Sequence, residues 1–272
     1  MADNRAIGVF DSGLGGLTVV REIMKLLPKE NIVYFGDTGR VPYGTRSHDT
    51  IKKYALQDEN FLLSHNVKLI VAACGTVSSV ASDTAEHLPV PFIEVVSHSV
   101  RAAVNATKNS KIGILATSAT INSGAHKKQI LSLLPDATVV ESAGTLLVPI
   151  VEEGWTSGDD VVALESLKRY LAPMISAGID TLILGCTHFP VLSNAIKNIL
   201  GSNVTLINMG ESTAQAVKET LELSNALNDG QTEADCKYFV SDKTASFKKT
   251  ADILIGDYDD DFNVEEVDIE KI

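Results

Sequence analysis

The chain has 272 residues, of which 44% are hydrophobic, 21% charged and 6% aromatic. This is the usage of a globular protein with one large or two medium domains, and it excludes a disordered or peptide-sized product. Against 35 acidic residues stand 23 basic ones, a net charge of -12, which argues against a protein whose main work is neutralising nucleic-acid phosphates or anionic lipid.

In chain order, the start MADNR is polar and is followed by a short aliphatic run at residues 6–10 that ends in Asp11-Ser12-Gly13. A glycine-rich loop leads into a helical pattern over 18–27, with Val19, Ile23, Leu26 and Leu27 at helical spacing and Pro28 as its stop. Further runs at 32–36, 69–73 and 111–116 end in Asp37-Thr38, Cys74-Gly75-Thr76 and Thr117-Ser118-Ala119-Thr120. A second amphipathic helix, with Leu164, Leu167 and Leu171, spans 163–175, and a last run at 181–185 ends in Cys186-Thr187-His188. Repeated strand-loop-helix units predict an α/β fold around parallel sheets. In such sheets ligands collect beyond the carboxyl ends of the strands, which makes these five ends the candidate site.

The ends carrying Cys74 and Cys186 resemble one another, strand then cysteine then threonine, in a weak repeat of 112 residues. The repeat is compatible with a duplicated half-domain, and loop positions put a domain change near Ser97 and a return near Asn208, which gives a first α/β domain of 1–96 with 208–272 and a second of 97–207. The apolar runs near Leu69 and Leu182 are far shorter than the ~20 residues of a spanning helix, so neither a membrane span nor a secretory signal is expected, and the protein is expected in the cytoplasm. An odd number of cysteines, Cys74, Cys186 and Cys236, does not suggest a disulfide framework in that compartment. Residues 257–272 hold eight acids and one base, which reads as a solvated edge that aids solubility, with docking of a basic partner as the alternative.

A thiol at a strand end, where a helix begins, meets backbone N–H groups and the positive end of the helix dipole, both of which favour the thiolate. Either cysteine alone is equally the mark of a small buried hydrophobe. Two in matched contexts suit an inversion at carbon, one thiol removing a proton and the other returning one on the opposite face. Asp11 and His188 are available as helpers; their bland readings are a helix cap and a satisfied polar residue. The loop from Asp11 to Thr18 could seat a small anion on its N–H groups. It is a poor dinucleotide fingerprint, because Thr18 occupies the third glycine position and Asp11 would repel a pyrophosphate, although Asp37 mimics a ribose-binding acid. Cys74, Cys186, His188 and Asp11 could instead hold zinc, at unspecific spacing.

The segments Gly8-Val9-Phe10-Asp11-Ser12-Gly13-Leu14-Gly15-Gly16-Leu17-Thr18, Gly36-Asp37-Thr38, Pro42-Tyr43-Gly44, Cys74-x-Thr76, Val148-Pro149-Ile150-Val151-Glu152 and Leu184-Gly185-Cys186-Thr187-His188-Phe189-Pro190 are together highly specific. On them the chain resembles the glutamate racemase family, cofactor-independent amino-acid racemases of bacterial cell-wall synthesis, from about Ile7 to about Gly210. The resemblance implies two α/β domains about a cleft and no cofactor or metal, with glutamate as the small-molecule substrate, neither nucleic acid nor membrane as a partner, and a homodimer. It implies Cys74 and Cys186 as the acid/base pair, Asp11 and His188 as helpers and Glu152 as a further acid. Asp11, Ser12, Tyr43, Gly44, Gly75, Thr76, Thr187 and His188, with Thr120 added, match the positions that hold the substrate.

Three departures matter. Gly75 stands where the family usually has asparagine, which removes an amide able to hydrogen-bond the substrate; Gly144-Thr145 replaces a usual Cys-Pro, and Asn208 a usual aspartate. The proton-transfer residues all remain. The expectation is therefore a working racemase with a modified pocket, with an aspartate racemase or a catalytically weak glutamate-binding homologue as the alternatives.

Overall fold

The computed structural model describes residues 3–230, 233–243, 247–256 and 263–271. Eleven helices and ten strands alternate through them: β1 Ile7–Asp11, α1 Leu17–Leu26, β2 Ile32–Gly36, α2 His48–Ser64, β3 Leu69–Ala72, α3 Gly75–Val80, β4 Phe92–Glu94 and α4 Val95–Ala106. There follow β5 Lys111–Ala116, α5 Ser118–Ser123, α6 Ala125–Leu133, β6 Thr138–Ala143, α7 Leu147–Glu152, α8 Val161–Ala177, β7 Thr181–Gly185, α9 Ser193–Leu200 and β8 Thr205–Asn208. The last are α10 Met209–Leu223, β9 Cys236–Val240, α11 Phe247–Ile255 and β10 Val264–Glu266.

Two all-parallel sheets result, one ordered β10-β9-β2-β1-β3-β4 and the other β6-β5-β7-β8. The α/β class read from the sequence is the observed one, and the five aliphatic runs form β1, β2, β3, β5 and β7. Each of these is buried nearly throughout, as strands covered on both faces must be. Period-two alternation divides the residues of the first sheet between two cores. Ile7, Val9, Tyr34 and Val71 face the helices α1, α4 and α10, whose apolar sides continue into the second sheet at Ile112 and Ile114. Phe10, Phe35, Ile70 and Ala72 face α2 through Ile51, Ala55, Phe61 and Leu62.

The two helices expected from periodicity are α1 and α8, each within two residues of its predicted bounds. Leu26 departs from the pattern, at 37% exposure, because the last turn of α1 runs past the core it packs on. In α8 the ends are set by chemistry: the Asp160 side chain accepts the Ala163 N–H, and Gly178, at φ 67°, makes the left-handed turn that stops the helix. Of the acidic segment 257–272, residues 257–262 and 272 lie outside the described residues. The rest is less detached than a solvated edge, since Val264 and Ile269 are buried and Glu265 and Glu266 lie in the edge strand. Among the described residues no helix is long and apolar enough to cross a membrane.

Candidate active site

The carboxyl ends of β1, β3, β5, β6 and β7 converge from both sheets on one cavity of about 390 Å³. All twelve residues singled out in the sequence line it: Asp11, Ser12, Tyr43, Gly44, Cys74, Gly75, Thr76, Thr120, Glu152, Cys186, Thr187 and His188. The parallel topology explains this, because every right-handed strand-helix unit turns at the same edge of its sheet.

On the first sheet, β1 delivers Asp11 and β3 delivers Cys74, the residue that precedes the first turn of α3. The Asp11 carboxylate accepts the Gly13 N–H at 3.0 Å, so it braces its own loop. The first turn of α1 begins at Gly16 without a side-chain cap. Cys74 Sγ donates to Ser12 Oγ at 3.3 Å. Burial raises the Asp11 carboxyl above the usual carboxylate range despite the nearby His188 and three backbone N–H groups. Burial, and then the charge of Asp11, push the Cys74 thiol up to about 12. The backbone donors of Val77 and Ser12 pull the other way, so the expected helix-start effect is present and outweighed. Cys74 is a thiol in the unliganded protein.

On the second sheet, β7 delivers Cys186, Thr187 and His188, and α7 ends on Glu152. His188 Nδ1 lies 3.9 Å from Cys186 Sγ and Nε2 lies 3.2 Å from Glu152 Oε1. Burial would strip the imidazole of its charge, yet the hydrogen bonds to Cys186 and Glu152 carry it up to about 10. His188 is thus a cation that spans from the thiol to a carboxylate with 47% of its side chain exposed. Both Cys74 and Cys186 are free and nearly buried, at 5% and 7% exposure.

The two halves meet across the site at backbone distance. A Cβ on Gly15 would lie 2.6 Å from His188 Nδ1, inside van der Waals contact, and one on Gly75 would lie 3.1 Å from the Gly185 carbonyl oxygen and 3.5 Å from Thr120 Oγ1. Glycine at 15 is therefore what lets the first loop approach the second. Thr18 Oγ1 lies 2.8 Å from the Thr187 carbonyl oxygen and 2.9 Å from that of Gly15, its one hydrogen shared between them, which ties α1 to the loop after β7.

One strand end departs from expectation. Asp37, after β2, does not reach the cavity; it is fully buried, accepting Ser241 Oγ at 2.7 Å and Arg40 Nε at 2.6 Å and contacting the Tyr43 hydroxyl. Its oxygens are committed inside the protein, which removes the ribose-binding role on which a nicotinamide reading depends. The wall at that corner is built by Val41, Pro42, Tyr43 and Gly44 instead. The Tyr43 hydroxyl also lies 3.0 Å from Asp58 Oδ2, so it points away from the cavity. Asp58 was invisible as a site residue in the sequence, one acid in a helix whose only hint is its helical spacing on the buried face of Ile51 and Ala55. Among the described residues no three His, Cys, Asp or Glu side chains are grouped to hold a metal ion.

Known proteins resemble this chain over most of its length. The family model described as Asp/Glu/Hydantoin racemase matches residues 7–217. A protein of Neisseria meningitidis serogroup A named glutamate racemase is 44% identical over 254 residues, 93% of each chain. One of Geobacter metallireducens with the same name is 42% identical over 253 residues, again 93% of each. The crystal structure of glutamate racemase from Francisella tularensis in complex with D-glutamate superposes with a TM-score of 0.90 at 36% identity, covering 99% of this chain and 100% of that one.

Proposed function

The chain belongs to the Asp/Glu/Hydantoin racemase family, and on that premise we propose that it is a glutamate racemase. It interconverts L-glutamate and D-glutamate by two-base proton transfer at the α-carbon, without a cofactor, and supplies D-glutamate for peptidoglycan. The observation that carries this reading is the pair of free, buried thiols on strand ends of separate sheets, facing one cavity with a different helper beside each.

In each turnover a thiolate on one side removes the α-proton and the opposite thiol protonates the other face, so the two sulfurs exchange roles. Asp11 and Ser12 serve Cys74. His188 serves Cys186, its cation stabilising negative charge on that sulfur, and Glu152 holds the imidazole charged. The α-proton is only weakly acidic in water, and the cavity compensates by excluding water and by presenting fixed donors as charge builds on the α-carboxylate. Thr76, Thr120, Thr187 and the backbone at Tyr43-Gly44 and Gly75 are the donors in this reading. Glutamate is favoured over aspartate by the names of the relatives and by the D-glutamate held in the Francisella tularensis protein.

This reading includes a first domain of 1–96 with 208–272 and a second of 97–207, in a cytoplasmic homodimer; sedimentation analysis tests the dimer. The activity is tested by proton NMR with L-glutamate, and separately D-glutamate, in deuterated water. Wash-out of the α-proton with loss of optical rotation from both enantiomers, without added cofactor, is expected. Exchange of aspartate alone would make the protein an aspartate racemase, and no exchange of either would make it a binding protein. Cys74→Ala and Cys186→Ala are each expected to abolish full racemisation; a variant that keeps it would sink the two-thiol mechanism.

A further inference from the structure

The hydroxyl of Tyr43 stands within hydrogen-bond reach of two carboxyl groups, those of Asp37 and, at 3.0 Å, Asp58 Oδ2. A phenol has one hydrogen to give. The second oxygen-oxygen contact therefore needs a hydrogen from the acid. Asp37 is the supplied anion of the two, since Ser241 and Arg40 both donate to it at 2.7 Å and 2.6 Å. Besides the Tyr43 contact, Asp58 receives among the described residues Arg40 Nη2 alone, at 3.1 Å on its other oxygen. Both acids are 0% exposed and Tyr43 is 1% exposed. Two buried carboxylates against one guanidinium would leave an unmatched charge out of water, which is costly. A proton on Asp58 leaves Arg40 and Asp37 as a matched pair.

We propose that Asp58 is a neutral carboxylic acid that donates to the Tyr43 oxygen, while Tyr43 donates to Asp37, and that this relay makes Asp58 a positioning residue for the substrate cavity. Asp58 does not touch the cavity. It acts through Tyr43, first residue of the short turn Tyr43–Thr45, whose Tyr43 and Gly44 form part of the wall. The relay holds that turn from α2, while Ala119 of α5 stands on its other side, 3.3 Å from where a Gly44 Cβ would be. Tyr54 packs on both Tyr43, at 5.3 Å between ring centroids, and Arg40, at 4.1 Å. The other charged groups near Asp58 agree with the assignment. Glu270, 3.3 Å from Arg40, is a surface group at 60% exposure, and Glu59 turns to Thr84 at 2.6 Å. Burial, and next the charge of Asp37, drive the Asp58 carboxyl well above the ordinary carboxylate range.

Two measurements test this, and only the second rests on the glutamate racemase reading. The infrared spectrum of the unliganded wild-type protein at neutral pH is expected to contain a deuterium-sensitive carbonyl band of a protonated, hydrogen-bonded acid. That band should be absent in Asp58→Asn and shifted to higher frequency in Tyr43→Phe, where the acid loses its acceptor. In kinetics with L-glutamate, Asp58→Ala is expected to raise KM about tenfold with kcat changed less than about twofold, the size of one lost hydrogen bond. Asp58→Asn, whose amide donates to Tyr43 and accepts from Arg40, is expected to restore KM. A missing band, or an Asp58→Asn protein no better than Asp58→Ala, would mean an ionised Asp58 and overturn the proposal. An unchanged KM in Asp58→Ala would overturn the positioning role. If Asp58→Ala does not fold, the band in wild type and its shift in Tyr43→Phe decide the protonation, and the KM of Tyr43→Phe, expected to rise with kcat held, decides the positioning.

Discussion

The imidazole of His188 joins a thiol to a carboxylate, and its charge is a property of that junction rather than of the ring. Raised from an ordinary 6.5 to about 10, it contributes stability that is fully present below about pH 6.5 and is lost as pH rises through about 10. The unfolding free energy of wild type minus that of His188→Asn, measured in urea across that window, is expected to shrink steadily toward alkaline pH. A difference that stays flat would mean the ring is not held charged. Cys74 is pushed up to about 12 by burial and Asp11, so the two cysteines enter the reaction from unlike surroundings although their sequence contexts match. The unlike part lies in the neighbours, Ser12 on one side and His188 on the other, brought in by the fold.

At the scale of elements, β3 begins beside a buried ion pair that anchors the sheet end remote from the cavity. Lys68 Nζ lies 2.6 Å from Glu30 Oε2 and donates to the carbonyls of Asp3 and Ala226 at 2.6 Å and 2.8 Å, while Glu30 also accepts the Asn228 N–H at 2.8 Å. Lys68→Met is expected to cost about 3–5 kcal/mol, because Glu30 is left buried and unpaired. Adding Glu30→Gln should recover part of that loss, and urea unfolding of the three proteins measures it. Neither residue was legible as a pair, since 38 positions separate them in the sequence. Five central strands were legible, being apolar on both faces; β9, also interior, was not, because Cys236 and Lys237 break its aliphatic run. The edge strands were not: Thr138–Ala143 is nowhere fully buried and Val264–Glu266 has two exposed glutamates, so they lack the aliphatic run that marks a covered strand. The candidate site was legible at the strand ends because topology puts them together. It was illegible at Asp58 and in the fate of Asp37, where a helix and a loop approach only in three dimensions.

At the scale of the whole molecule, each sheet carries one of the thiols, so their separation depends on how the halves are held. Thr18 is one such hold, its hydroxyl shared between the carbonyls of Gly15 and Thr187. Thr18→Val keeps the shape and removes the donor. It is expected to lower kcat/KM about tenfold, for one lost hydrogen bond at the junction, with a melting temperature lowered by a few degrees. Steady-state kinetics beside a thermal melt checks both.

The strand order also bears on how the chain is made. β2 is an interior strand, yet its partner β9 begins at Cys236, 200 residues after β2 ends at Gly36. During synthesis the earlier strands emerge first, and the apolar edge of β2 has no partner on that side until 200 further residues have been made. An unpaired, fully apolar edge is a template for intermolecular pairing. The second sheet, contiguous from β5 to β8, can close on local contacts in the meantime. Late closure by β9 and β10 therefore makes this segment, whose described residues contribute nothing to the cavity wall, the part that shields nascent chains from one another.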